Sequence, residues 1–238
     1  MAKERLDKLI ASTGRWSRRE VKTLVREGRV LVDGRIAGSA EEKYDAESCR
    51  IAVNGEELLL RRHTYVMLHK PAGVLSATED GRGRTVLDLL TPELRKIGVF
   101  PVGRLDKDTE GLLLLTDDGA LAHDLLAPKK HVDKVYYARV SGRLAPEDCA
   151  AFEAGMTLGD GLECLPAGLE ILAAGETSEC LVTLREGKFH QVKRMLAARG
   201  KPVTYLKRLS MGSLRLDDTL APGEFRLLTA AEEAQLQR

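Results

Sequence analysis

The stretch from Ser17 to Gly55 constrains the fold more than any other part of the chain. Ser17 followed by Glu20 has capping-box spacing, Val21, Leu24 and Val25 share one helical face, and Gly28 is a natural stop. The apolar period then changes. Val30 and Val32 alternate into Asp33-Gly34, and Ile51 and Val53 alternate into Asn54-Gly55, two dipeptides that favour tight hairpin turns. An earlier helix is expected over residues 3–12, where Leu6, Leu9 and Ile10 share a face. Residues 1–60 thus read as a complete small α+β unit, because the pattern ends over residues 58–62 and a new strand begins at Tyr65.

Residues 61–238 mix strands and helices without a regular strand–helix–strand rhythm. Strands are expected at 65–68, 100–102, 112–116, 134–140, 180–184, 204–209 and 225–228, with short helices at 120–126 and 191–199. In KVYYARV the alternation puts Tyr136, Ala138 and Val140 on one face and Val135 and Tyr137 on the other. The chain is therefore predicted to be α+β, with a small first unit and a second built on a mixed, mainly antiparallel sheet with peripheral helices.

Composition removes several classes. No apolar run approaches the ~20 residues of a membrane helix, the cluster at 112–115 is strand-sized, and the N-terminus lacks the apolar core of a secretory signal. Cys49, Cys149, Cys164 and Cys180 form no Cys-x-x-Cys pair, so neither a zinc site nor a disulfide framework is expected, and the cytoplasm is the expected compartment. Phosphate-loop and dinucleotide fingerprints are missing, so no cofactor is expected.

Total charge is uninformative, with 37 basic side chains against 36 acidic ones, but its distribution is not. Residues 1–36 carry ten basic and five acidic side chains, and residues 185–208 carry eight basic side chains against Glu186 alone. Two basic surfaces are the footprint of a phosphate-backbone partner, although each run could also be a plain solvated face. On the capped helix, Arg18, Lys22 and Arg26 recur every four residues as a ridge suited to phosphates.

Two segments carry chemistry. GRLDKDTEG crowds Arg104, Asp106, Lys107, Asp108 and Glu110 between apolar strands. Its spacing allows a hard-cation site on Asp106, Asp108 and Glu110, a carboxylate nucleophile with a cationic partner, or an ordinary charged hairpin. EGKFHQVKRML places Lys188, His190, Gln191, Lys193 and Arg194 at a helix start, where anions are favoured. His190 has either a structural role or that of a general base.

GRLDKDTEGLLLLTDDG resembles the signature loop of the pseudouridine synthases, in the branch of the ribosomal small-subunit synthase A and its large-subunit relatives. HKPAGV at 69–74, KVYYARV, EGKFHQVKRM and LAPGEFRLLT at 220–229 resemble the other motifs of that branch, in order. RLDKLI and SRREVKTLVREGRVLVDG resemble the small alpha-L RNA-binding module found ahead of these enzymes. The likeness covers essentially the whole chain. It implies an alpha-L module over residues 1–60 and a pseudouridine synthase domain over 61–238.

The resemblance also implies roles. Asp106 is similar to the aspartate that attacks the target nucleotide, so that uracil leaves through N1, turns and rejoins through C5. Tyr136 is similar to the tyrosine that stacks on the base, and Lys193 to the basic partner of the aspartate, where many relatives carry arginine. Arg194 remains an alternative partner, since lysine lacks arginine's fork. Arg104 is similar to the loop arginine that occupies RNA space after base flipping. Further RNA contacts are expected from Arg5, Arg18, Arg19, Lys22, Arg26, Lys188, His190, Gln191 and Arg194.

Isomerisation changes no oxidation state, which agrees with the expectation of no cofactor and no metal. Extruding a stacked uridine costs a few kcal/mol, of which stacking on an aromatic returns part. The implied substrate is 16S ribosomal RNA, at the uridine of position 516, naked or in a partly assembled small-subunit particle. The alternatives are a 23S synthase of the same branch, a non-catalytic assembly factor and a metal-dependent hydrolase. A monomer without membrane contact is expected.

Overall fold

In the computed structural model, which describes residues 3–46, 48–127 and 130–236, contacts gather the chain into two units. One comprises Met1–Thr64 with Leu90–Val99, and the other Tyr65–Leu89 with Phe100–Arg238. The expectation of two consecutive segments meeting at residue 60 misses the return of residues 90–99 to the first unit.

In the first unit, α1 spans Leu6–Ala11 and α2 spans Arg18–Arg26. α1 starts later than residue 3 because Glu4–Arg5 pair as a short strand with Lys43–Tyr44. The Ser17 hydroxyl accepts from the Glu20 amide at 3.3 Å, and the Glu20 carboxylate accepts from the Ser17 amide at 2.6 Å, closing the expected capping box. A four-stranded sheet follows, from β1 (Val30–Val32), β2 (Arg35–Ile36), β3 (Ile51–Val53) and β4 (Glu56–Glu57), in the order β2-β1-β3-β4. Asp33 and Asn54 take the left-handed backbone that the two turns require. Leu6, Ile10, Val21, Val30, Ile51 and Val53 have no exposed surface and form the centre of this core.

The returning segment contains α3 (Pro92–Ile97), capped by the Thr91 hydroxyl and ended by Gly98 in the left-handed region. Gly14 lies close against this segment. A Cβ there would lie 2.3 Å from the Glu93 carbonyl oxygen, so only glycine allows the approach.

The second unit is built on a nine-stranded sheet. Its long strands are β5 (Tyr65–Lys70), β6 (Glu110–Thr116), β7 (Lys134–Ser141), β8 (Gly168–Ala173), β9 (Thr177–Leu184), β10 (Val203–Met211) and β11 (Phe225–Leu227). Their order is β8-β9-β7-β10-β6-β5-β11, with Phe100–Pro101 and Leu214–Arg215 added on β6 and β10. Every neighbouring pair is antiparallel except β10 with β6, so the expected mixed, mainly antiparallel sheet is present. α4 (Gly119–Leu126), α5 (Pro146–Ala154), α6 (Gln191–Ala198) and α7 (Ala230–Leu236) are the helices of this unit.

The continuous leucine run of β6 is explained by burial on both faces, since Leu112, Leu113, Leu114 and Leu115 are all fully buried. Truncating one of them to alanine is a large-to-small change worth about 2–5 kcal/mol. This rigid centre ends at Gly111, where the polar loop begins. A Cβ on Gly111 would lie 2.2 Å from the Arg208 carbonyl oxygen, so β10 and β6 can pair there only through a glycine.

Candidate active site

Asp106 sits in the loop between Gly103 and Gly111, and the backbone of that loop is tied down from β5 and the segment after it. Lys70, the last residue of β5, is fully buried. Its ammonium donates to the carbonyl oxygens of Pro71 at 3.0 Å, Asp106 at 3.1 Å, Lys107 at 3.3 Å and Thr109 at 2.9 Å. The Ser76 hydroxyl donates to the Leu105 carbonyl at 2.9 Å and accepts from the Leu105 amide at 3.1 Å. The Gly73 amide adds a bond to the Lys107 carbonyl at 2.7 Å. One buried cation and one hydroxyl thus set the position of the carboxylate. Burial pushes the Lys70 ammonium down to about 8, although Asp108, Asp106 and Glu110 favour its charged form.

Asp106 opens onto a pocket whose polar wall includes Arg104, Tyr136, Lys188, His190 and Gln191, and whose apolar wall includes Leu184 and Leu206. Tyr136 belongs to the buried face of β7, opposite Val182 of β9 and Arg208 of β10. The alternation read from KVYYARV therefore places its ring in this wall rather than on the other face.

The positive charge comes from α6. Lys193 Nζ lies 2.9 Å from Asp106 Oδ2 and 2.5 Å from Asp108 Oδ1, so a single ammonium bridges two carboxylates. Burial pushes the Lys193 ammonium down, but its bonds to Asp108 and Asp106 outweigh that and raise it overall. The hydrogen bond from Lys193 holds the Asp108 carboxyl below its usual range. His190 Nε2 is 3.5 Å from the other Asp106 oxygen. Arg194, the alternative partner, is instead held by Asp160 at 2.5 Å.

Two features escaped the sequence reading. Glu186 is buried, accepts from the Leu165 amide at 2.9 Å and from Gln191 Nε2 at 2.6 Å, and pairs with Lys188 at 3.0 Å. Gln191 Oε1 accepts from the Lys188 amide at 3.1 Å, and Lys188 Nζ also donates to the Glu163 carbonyl. Lys188 and Gln191 therefore brace the 185–191 loop as well as line the pocket. Lys70 is the second feature, whose sequence signals are its place at the end of the mostly apolar strand YVMLHK and within the HKPAGV motif, neither of which names its partners.

The three carboxylates of the cation-site reading diverge. Asp106 and Asp108 share Lys193, while Glu110 accepts from the Tyr205 hydroxyl at 2.8 Å. Among the described residues no group of three or more His, Cys, Asp or Glu side chains is arranged to hold a metal ion.

Arg5, Arg18, Arg19, Lys22 and Arg26 belong to the first unit. Arg5, expected as an RNA contact, also has partners within the unit. Its guanidinium is bidentate to the buried Asp7, at 3.0 and 2.8 Å, and reaches Glu41 at 3.1 Å. Lys22 meets Glu41 at 3.3 Å, which interrupts the expected ridge. Arg18, Arg19 and Arg26 are exposed, and among the described residues none is held in an ion pair.

A carboxylate fixed by its backbone, faced by a cation and walled by an aromatic ring, in a chain whose other unit exposes arginines, is an arrangement suited to an enzyme that acts on RNA. Comparison with known proteins makes the class specific. Residues 64–198 match the family model described as RNA pseudouridylate synthase, and residues 4–48 match the S4 domain. The chain belongs to the RNA pseudouridylate synthase family, isomerases that act on RNA, and carries an S4 domain in its first unit.

The chain is 50% identical to the uncharacterized RNA pseudouridine synthase YtzG of Bacillus subtilis, covering 96% of each chain. It is 40% identical to ribosomal small subunit pseudouridine synthase A of Vibrio cholerae, over 98% of this chain and 99% of that one. It is also 38% identical to ribosomal large subunit pseudouridine synthase B of Bacillus subtilis, over 98% and 96%. A crystal structure of a pseudouridylate synthase superposes with a TM-score of 0.68 at 35% identity, over 98% of this chain and 99% of that one. No helix among the described residues is long and apolar enough to cross a membrane.

Proposed function

We propose that the chain isomerises one uridine of 16S ribosomal RNA to pseudouridine, at position 516, with Asp106 as the attacking carboxylate. The observation that carries this reading is the Asp106–Lys193 pair, 2.9 Å apart, at a pocket walled by Tyr136. In the reaction the N1–C1′ bond breaks and a C5–C1′ bond forms, while C5 loses a proton and N1 gains one. Atoms and electrons balance without an oxidant or a reductant.

Each residue has one task in this scheme. Asp106 attacks the nucleotide, Lys193 holds that carboxylate in position, and Tyr136 stacks on the extruded base near the C5 proton. Arg104 occupies the space that the flipped uridine vacates. Residues 1–60 grip the RNA through Arg18, Arg19 and Arg26, and the enzyme acts as a cytoplasmic monomer. The small-subunit target is supported by 40% identity to the Vibrio cholerae synthase A, and the large-subunit alternative by 38% identity to the Bacillus subtilis synthase B.

The test is tritium release from C5-labelled uridine in 16S and 23S RNA, each naked and as partial ribonucleoprotein, with Asp106→Asn alongside. Release from 16S material alone, abolished by the substitution and mapped to position 516, is the expected result. Release from 23S alone overturns the target and keeps the chemistry. Full release by Asp106→Asn overturns the role of the aspartate.

A further inference from the structure

Phe189 is 73% exposed, although both of its chain neighbours, Lys188 and His190, line the pocket. A lone exposed aromatic needs no explanation, but this one is built into an arrangement. Its ring stacks on that of His190, with centroids 3.8 Å apart and planes inclined by 18°. Consecutive side chains do not ordinarily meet, since they alternate faces in a strand and diverge around a helix. Here they meet where His190 takes a left-handed backbone, φ 51°, at the N-cap of α6. That conformation is costly for a non-glycine residue, and such strain persists where the surroundings enforce it.

The surroundings do enforce it. The Glu186–Gln191–Lys188 network braces the loop on both sides of Phe189. The ring is therefore presented by a fixed turn, not by a free loop tip. One face of Phe189 is covered by the imidazole, whose Nε2 is 3.5 Å from the Asp106 carboxylate. A planar apolar ring, stacked at the rim of an RNA-modifying pocket, suits an unpaired nucleobase, whose own π-face is matched by the ring.

We propose that Phe189, backed by His190, is a stacking platform for an unpaired nucleobase next to the target uridine in the RNA substrate. The platform holds the strand while the uridine occupies the Tyr136 wall, so one aromatic serves the reacting base and another its neighbour. This inference rests on the uridine-isomerase reading of the pocket.

The test compares wild type with Phe189→Ala, Phe189→Leu and Phe189→Tyr in two readouts. In tritium release, Phe189→Ala is expected to raise KM about tenfold and to lower kcat by less than KM rises, Phe189→Leu to resemble alanine, and Phe189→Tyr to restore wild-type values. The second readout is the fluorescence of short single-stranded RNAs carrying 2-aminopurine on either side of a central uridine, mixed with each protein. Quenching on one side by wild type and by Phe189→Tyr, lost in the alanine and leucine variants, supports the platform.

Equal quenching by all four proteins, or rescue by leucine in both readouts, overturns it. If wild type releases no tritium the isomerase reading fails, and the quenching still decides the platform by itself. Phe189 is mostly exposed, so the thermal midpoints of the variants are expected to match wild type.

Discussion

In the first unit, Arg5, Lys22 and Arg15 lie at the surface against Glu41 and Glu56, as pairs between partly or largely exposed side chains. In the second unit, Lys70 is fully buried and donates to four carbonyl oxygens, and Lys193 is shared between two carboxylates. Water screens the first set, so each exposed pair contributes little and the field that remains serves long-range attraction. Lys70 is shielded from water, where each bond is stronger and direction matters, and Lys193 is less exposed than any cation of the first set. One unit is therefore suited to attract RNA, and the other to position reacting atoms.

The sharpest break between the two units is expected from Asp106→Asn. Tritium release should fall at least about a thousand-fold, the scale of losing a nucleophile, while the Kd for RNA stays within about twofold. A parallel loss of RNA binding would show that the contrast between attraction and chemistry is false.

Next comes Lys70→Met, expected to lower kcat about a hundred-fold by releasing the backbone around Asp106. The same lysine predicts a pH effect. With its proton held to about 8 in the fold, against 10.5 ordinarily, kcat should fall as pH rises through about 8. The folded chain binds fewer protons than the unfolded one between these values, so this group's contribution to stability rises with pH over that window while activity falls. Opposite trends in denaturant midpoint and kcat would be the signature. An alkaline limb in kcat that persists in Lys70→Met would assign it elsewhere.

Lys193→Gln should cost about 10- to 100-fold in kcat, the scale of one charge-assisted hydrogen bond, and Lys193→Arg should restore most of it. Failure of arginine to rescue would mean that the bridge to Asp108 matters more than charge at Asp106.

Smaller effects belong to the first unit. Replacing Arg18, Arg19 and Arg26 together by glutamine should raise KM and flatten the dependence of log K on log salt by about 2, with kcat nearly unchanged. Arg5→Ala should leave that salt slope alone and lower the thermal midpoint, because it strips the buried Asp7 of its partner. A reversed outcome for these two variants would exchange their assignments.

How much of this was legible in advance follows the range of the interactions. The α2 capping box, the turns at Asp33 and Asn54 and the face of Tyr136 depend on residues within a few positions of one another, and all are present as read. The cationic character of Arg5 is written in the sequence, whereas its contact with Glu41, 36 residues away, is not. The return of residues 90–99 to the first unit was missed because α3 carries caps like any other helix, and nothing local names its neighbour.

The candidate site divides along the same line. The resemblance pointed to Asp106, Tyr136 and Lys193, and the choice between Lys193 and Arg194 was left open. One lies against Asp106 and the other against Asp160 because adjacent side chains on a helix point about 100° apart, and only the docking of α6 decides which one faces the loop.

By itself the sequence determined the periods, caps and turns, and hence the α+β class, the buried strand cores and the presence of a polar loop between two apolar strands. These are short-range consequences of backbone sterics and of apolar side chains leaving water. The tertiary structure alone decided that Lys70 would hold the Asp106 loop, that Glu186 would brace Gln191 and Lys188, and that Phe189 would rest on His190. A buried polar group must find its partner wherever the packed chain offers one, and in this fold Lys70 finds Asp106 from 36 positions away.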